Sequence, residues 1–272
     1  NYIKEQLVKI GLRKGDTDLV HSQLLKVGLP EEDVFDLGKY YLDIILDIIG
    51  EKGELVLPAF TYSYCNKKEF SPLEDMSSVS ELANSCIRNH IGYRTQDPLF
   101  SYVLVNPRSE EQSFSNVCFD FDNGMAGYLS FRKAKYLMIG DHACEQQLRT
   151  HNRFMKKFSG TTKINGTKIH SEYYFYCRRF CDNTLRNVQE LKRIVFEPLI
   201  AEGKLKQKCL GISHLFFCSD LNVMLDSYRQ SLKRDLFGLL KGPALSKNEL
   251  IKLDPEKEEI DIKRVKHKII KL

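Results

Sequence analysis

Residues 137–148 read "LMIGDHACEQQL", and the side chains best suited to moving a proton stand inside that stretch. An apolar run, Leu137-Met138-Ile139, stops at Gly140; Asp141 follows, and His142 and Glu145 stand three apart in what reads as a helix. With Asp141 as N-cap, His142 falls in the first helical turn. There the helix dipole disfavours the imidazolium and keeps the ring neutral, able to accept a proton. Glu145 shares that face, where it can fix the ring's tautomer or hold a cationic substrate. A well-placed base contributes about 10²–10⁴ in rate. The same spacing also describes a polar first turn with a surface histidine and an exposed glutamate. Cys144 points away from the His142 face, which fits core packing better than a nucleophile.

The elements that must position this pair alternate in type. "GLRKGDTDLVHSQL" gives a turn at Lys14-Gly15-Asp16 and a short strand, Asp18 to Val20, running into a polar loop. Over residues 30–50 apolar side chains recur at 34, 37, 41, 42, 45, 46 and 49, a helical period. Pro30 and the acids at 31–33 suit its first turn, and Gly50 ends it. "ELVLPAF" is a second buried strand, so strand, helix, strand implies parallel pairing through a crossover helix. A helix over 77–90, a strand over 97–105 and a strand over 133–140 follow. Two alternating aromatic runs then flank Asn165-Gly166, a strong hairpin signal, and predict an antiparallel insertion over about 152–179. Helices over 184–203 and 220–240 bracket a strand read over 208–219. The expected architecture is a single α/β domain spanning 1–272: a three-layer α/β/α sandwich with a mixed sheet and that hairpin insertion.

Bulk properties exclude several classes. The chain has 272 residues, a net charge of +5 and eight scattered cysteines without CxxC spacing, which argues against a zinc site or disulfide framework. No apolar run is long enough for a membrane span. The basic tail, about 253–272, alternates acids and bases in blocks, as a solvated surface segment does and a nucleic-acid footprint does not. The charged first residues lack a signal-peptide core, so a cytoplasmic protein is expected.

In open α/β sheets ligands collect beyond the carboxyl ends of the strands, here at 19–23, 55–63 and 137–145. His21 and Ser22 sit at the first of these ends, where a hydroxyl and loop amides can contact a phosphate or carbonyl. "TYSYCNKKEF" (61–70) mixes aromatics with lysines, as a loop over a sugar-like ligand or an ordinary surface loop would.

The order "GLRKGDTDLVHSQLLKVG", "GELVLPAFTYS", "RTQDPLFSY", then "HACEQQLRTHNRFMKKFSG" resembles the aminoglycoside 3-N-acetyltransferase family from about residue 5 to residue 240. That family, distinct from the GNAT acetyltransferases, moves an acyl group from coenzyme A to an amine of an aminoglycoside or another amino sugar. The resemblance implies His142 as catalytic base and Glu145 as its acidic partner. It also implies a coenzyme A-contacting loop at His21, Ser22 and Gln23 with Phe60 and Thr61, and substrate contacts at Arg94, Asp97 and Tyr62. Three features differ from the family's pattern: one residue only separates Gly140 from His142, Asp97 replaces a His before Pro98, and Gln23 replaces a second Ser.

The resulting expectation is an acetyl- or acyl-CoA-dependent N-acyltransferase. It would act on an aminoglycoside, or on a nucleotide-linked or surface-polysaccharide amino sugar, by direct attack in a ternary complex. No metal, nucleic acid or membrane partner is expected, and a homodimer is left open. Two other readings stay open at this point: a catalytically inactive binding protein of the same fold, and a Cys/His-dependent hydrolase.

Overall fold

The computed structural model describes residues 2–27, 34–140, 155–176, 192–234 and 261–272. His142, Glu145, Cys144 and the expected helix after Gly140 lie outside them. The described chain begins with α1 (Tyr2–Ile10), β1 (Thr17–Ser22) and α2 (Leu37–Ile49), followed by β2 (Glu54–Pro58) and α3 (Glu81–Arg88). Short strands β3 (Tyr93–Arg94), β4 (Tyr102–Val105) and β5 (Ser113–Ser115) precede α4 (Met125–Phe131) and β6 (Lys135–Ile139). Then come β7 (Met155–Ile164), β8 (Thr167–Tyr176), α5 (Glu197–Ala201), β9 (Leu205–Leu210), β10 (Ser213–Cys218) and α6 (Leu221–Arg234). Strands β11 (Lys266–Lys268) and β12 (Ile270–Lys271) end the chain.

Eight of these strands form one mixed sheet in the order β12-β3-β4-β2-β1-β6-β10-β9. β1 pairs in parallel with β2, as the strand–helix–strand reading requires, and also with β6; β4 and β10 then add antiparallel on either side. Side chains alternate strictly between two buried faces. Leu19, Val56, Tyr136, Met138 and Phe216 join an aromatic-rich cluster covered by α4, α5 and α6. Val20, Leu55, Leu57, Leu137, Ile139 and Leu215 join an aliphatic cluster covered by α1, α2 and α3. The α/β class, mixed sheet and helices on both faces are therefore as expected. Among the described residues no helix is long and apolar enough to cross a membrane.

Three local readings need correction. The helix before β2 has a cap at Asp36, whose carboxylate accepts from Lys39 N at 2.8 Å. Its first described turn therefore starts at Leu37, and Pro30 lies outside the described residues. The run read as one strand over 208–219 is a hairpin: Gly211, at φ +59°, turns the chain between β9 and β10. Finally, the tail over 261–272 keeps its charged side chains exposed as read, but its backbone is not free. Its Lys263 carbonyl and Val265 amide bond the Asn116 side chain, each at 2.9 Å, β11 pairs with β5, β12 pairs with β3, and Ile269 is buried.

The hairpin at Asn165-Gly166 forms a separate two-stranded sheet in the register the turn predicts, Ile164 opposite Thr167. It docks through Tyr173 and Phe175, which are buried in the aromatic cluster, and through the Tyr64 hydroxyl, 2.7 Å from both Thr162 Oγ1 and Ser171 Oγ.

Asp18 is the odd residue of the central strand. It is fully buried, neither carboxylate oxygen has a hydrogen-bond partner among the described residues, and burial followed by the nearby Asp16 pushes its carboxyl up to about 8. A carboxyl whose folded pKa lies above its unfolded one stabilises the fold below the unfolded pKa, near 4. That stability is lost as pH rises through about 8. Asp18→Asn should remove a slope of up to about 1.4 kcal/mol per pH unit across that window. Thermal melts of both proteins from pH 5 to 9 check this; parallel curves would refute it.

Candidate functional site

The carboxyl ends of β1 and β6 are locked together. Gln23 N donates to Ile139 O at 2.7 Å, while Gly140 N ties the end of β6 to β10 by donating to His214 O at 2.8 Å. Gly140 has φ +108°, and a Cβ there would stand 3.0 Å from Gln23 Cβ and 3.2 Å from its carbonyl oxygen. Only glycine suits such an approach in such a conformation. The chain therefore leaves β6 directly against the loop that follows β1.

A cavity of about 810 Å³ opens at this junction, lined by Ser22 to Lys26, by Phe35 to Leu37, and by Glu81 and Arg88 of α3. Its polar side chains fall into two groups. Arg88 neutralises both carboxylates, at 3.1 Å from Asp36 and 2.5 Å from Glu81. By contrast, Ser22 Oγ and Gln23 Oε1 are enclosed and have no hydrogen-bond partner among the described residues. Buried polar atoms are rarely left unpaired in folded proteins, so these two mark the place where a ligand group would be satisfied.

His21 does not join them. β1 runs through Ser22, so His21 is a strand residue and neighbouring strand residues point to opposite faces. Its ring is buried on the aromatic side, 5.7 Å from the Tyr136 ring. Of the expected cofactor loop, Ser22 and Gln23 line the cavity and His21 does not.

The loop after β2 is fastened to residues 94–101. Ala59 N donates to Ser101 O at 2.7 Å, Ser63 N to Pro98 O at 2.8 Å, and Thr61 Oγ1 to Pro98 O at 3.0 Å. Phe60 is 1% exposed and packs edge-on against Phe100 and Tyr102, which places it in the core. Thr61 keeps partial exposure, but its hydroxyl proton is committed to the Pro98 carbonyl.

Arg94 was expected to touch a substrate, and its surroundings give it another task. It is fully buried, and burial lowers its guanidinium to about 10. Nε donates to Ser101 Oγ at 3.2 Å, Nη1 to the carbonyls of Pro72 (3.0 Å) and Asp75 (2.6 Å), and Nη2 to the Ala59 carbonyl (2.9 Å). A planar fork of fixed donors suits this gathering of three carbonyls. Arg94 thus holds the loop after β2 in place.

Asp97 and Tyr62 keep exposed edges on that scaffold. Asp97 Oδ1 accepts from Leu99 N at 2.8 Å and Phe100 N at 2.9 Å, while desolvation raises its carboxyl despite those bonds. It borders a space of about 30 Å³ shared with Cys118, Tyr173 and His267, room for little more than a water. Tyr62 has φ +56°, uncommon for a bulky residue, and its ring meets Phe60 and Phe100 edge-on.

Several lining residues were not singled out by sequence: Leu24, Leu25, Lys26, Phe35 and Leu37 beside Ser22, and Cys118, Tyr173 and His267 around Asp97. Asp36, an N-cap residue ahead of an apolar period, was a signal available for the first group. The second group is assembled from distant segments and has no local signature.

No protein-family model and no curated protein sequence matches the chain. Solved structures match its fold. The aminoglycoside acetyltransferase AAC(3)-IVa apoenzyme aligns with a TM-score of 0.66 at 16% identity, over 89% of this chain and 91% of that one. A binary complex of AAC-IIIb with CoASH gives 0.67 at 16% identity over 89% and 97%. Sisomicin-bound AAC-VIa gives 0.65 at 15% identity over 86% and 97%. The chain therefore has the fold of these acetyltransferases, which is the fold its motifs led us to expect.

Arg94→Ala would strand three buried carbonyls, so it should destabilise the protein by about 3 kcal/mol or more. Arg94→Lys should recover little of this, having no planar fork. Thermal melts check both. An Arg94→Ala protein of native stability with weakened acceptor binding would return Arg94 to substrate contact.

Proposed function

We propose that this chain is a coenzyme A-dependent N-acyltransferase that acylates an amine of an amino sugar, with aminoglycosides the first acceptors to test. The observation carrying this reading is the shared fold over 85–89% of the chain and over nine-tenths or more of each acetyltransferase it matches. One of those structures holds CoASH and another holds sisomicin. The cavity at the locked ends of β1 and β6 supports it, because it lies where α/β sheets gather ligands.

The chemistry needs a base, an oxyanion partner and an acceptor anchor. An amino-sugar nitrogen arrives largely as an ammonium and must lose a proton before it attacks a thioester carbonyl. His142 follows Gly140 by two residues, so its Cα is tethered within about 7 Å of the Gly140 Cα. It takes the proton directly or through one water, and Glu145 orients the ring or holds the cationic acceptor. The nitrogen lone pair forms the C–N bond, the C–S bond breaks, and the sulfur leaves as a thiolate that takes up one of the two protons the nitrogen gives up, the other passing to solvent. Negative charge on the carbonyl oxygen in between calls for a donor. Ser22 suits this better than Thr61, since the Ser22 hydroxyl has no partner among the described residues and the Thr61 hydroxyl is already used. Asp97 and Tyr62, held by the Arg94 scaffold, are the acceptor-side candidates. Attack in a ternary complex needs no acyl-enzyme. Cys118 is an unsuitable nucleophile in any case, because burial pushes its thiol well up and leaves it protonated.

A thiol-release assay with acetyl-CoA against aminoglycosides and nucleotide-linked amino sugars tests the reading directly. His142→Ala should lower turnover by about 10²-fold or more at an unchanged melting temperature. Near-native turnover in that variant would remove the proposed base. Ser22→Ala should lower kcat by about 10²-fold with little change in KM. A fold that neither binds nor consumes acetyl-CoA with any acceptor would instead be the inactive binding protein.

A further inference from the structure

We infer that the cavity beside Ser22 and Gln23 takes the acyl chain of a coenzyme A thioester several carbons longer than acetyl. This rests on the acyltransferase reading and names its donor substrate. Size is the first observation. About 810 Å³ lies toward the upper end of the ~300–1,000 Å³ typical of small-molecule sites, far more than two carbons need.

Lining chemistry is the second. Leu24, Leu25, Phe35 and Leu37 supply apolar walls, and Leu25 and Phe35 are 82% and 107% exposed. Two large apolar side chains held in water at the mouth of one cavity favour an apolar occupant that covers them. Charge is the third. Asp36 and Glu81 are both engaged by Arg88, and Asp36 also caps α2, so neither of the described carboxylates lining the cavity is free to hold an ammonium. That argues against the cationic amino sugar as its occupant. Lys26, exposed at the rim, makes no ion pair with a described residue and suits the anionic end of coenzyme A.

Continuity with the proposed chemistry is the fourth. The enclosed Ser22 Oγ and Gln23 Oε1 lie on the same wall, and Gln23 abuts Gly140, two residues before His142. A thioester carbonyl beside Ser22 therefore leaves its alkyl chain to run along Leu24, Leu25 and Phe35. The transfer is unchanged in its balance: nitrogen gains the whole acyl group, sulfur leaves with the C–S electron pair, and the amine proton passes through the base to that thiolate.

Two measurements decide it. First, isothermal titration of the full-length protein without acceptor compares acetyl-, butanoyl-, hexanoyl-, octanoyl- and decanoyl-CoA. Second, thiol release follows the same series with the acceptor that acetyl-CoA acylates fastest. Octanoyl-CoA should bind at least about tenfold tighter than acetyl-CoA, since each methylene buried against apolar walls adds a few-fold. Leu25→Asp and Phe35→Asp, both at exposed positions, should each cut the octanoyl-to-acetyl ratio of kcat/KM by about tenfold. Equal affinity across the series, or variants that leave the ratio unchanged, would overturn the inference. If acetyl-CoA is bound and used while longer chains are refused, this inference alone falls. If no acyl-CoA of any length binds, the acyltransferase reading falls with it.

Discussion

Parallel pairing of one strand with two neighbours is the constraint on which the molecule depends. Because β2 and β6 both run alongside β1 in its own direction, all three carboxyl ends open at the same edge of the sheet. One backbone hydrogen bond, Gln23 N to Ile139 O, and the close approach of Gly140 to Gln23 then draw the first and last of those ends into contact. A side chain at 140 would push Gln23 away, and the cavity wall would move with it. The junction gains its accuracy from strands rather than from loops, since a ladder of hydrogen bonds fixes register to a single residue.

A second device holds the remaining end. The loop after β2 has little regular structure of its own, and the Arg94 guanidinium compensates by collecting carbonyls from residues 59, 72 and 75. Burying a charge without a carboxylate partner is costly. Here several oriented carbonyl dipoles stand in for the counter-ion, and the same bonds satisfy backbone groups that would otherwise be stranded. Tyr62, Ser63 and Asp97 inherit their positions from this arrangement. The hairpin of β7 and β8 closes over it, with Tyr64 bonded to Thr162 and Ser171 and with Tyr173 in the aromatic core.

Legibility followed the range of the interaction. The Asn165-Gly166 hairpin was readable because its turn chemistry is contained in two residues and its strands alternate. The helix ending at Gly50 and the strand ending at Gly140 were readable for the same reason. The β9–β10 hairpin was missed because its turn, Gly211-Ile212, interrupts an apolar run by a single glycine. Strands β11 and β12 were missed because a charged, three-residue strand carries no periodicity and forms only when a distant edge accepts it. Arg94 was found as a motif residue and assigned a contact, although its type and neighbours say nothing about which way it points.

Sequence alone determined most of the central elements and their order, the parallel pairing of β1 with β2, and the glycine that ends β6. Those properties rest on local torsions, side-chain periodicity and the geometry of crossovers, all of which act over a few residues. Tertiary structure alone decided which polar atoms face a cavity and which are used up. His21 and Ser22 are neighbours in the chain yet end on opposite faces, and Ser22 and Thr61 carry the same group yet only one keeps it free. The reason is that a hydrogen bond is settled by whichever distant partner the fold brings within about 3 Å, and no pattern along the chain contains that distance.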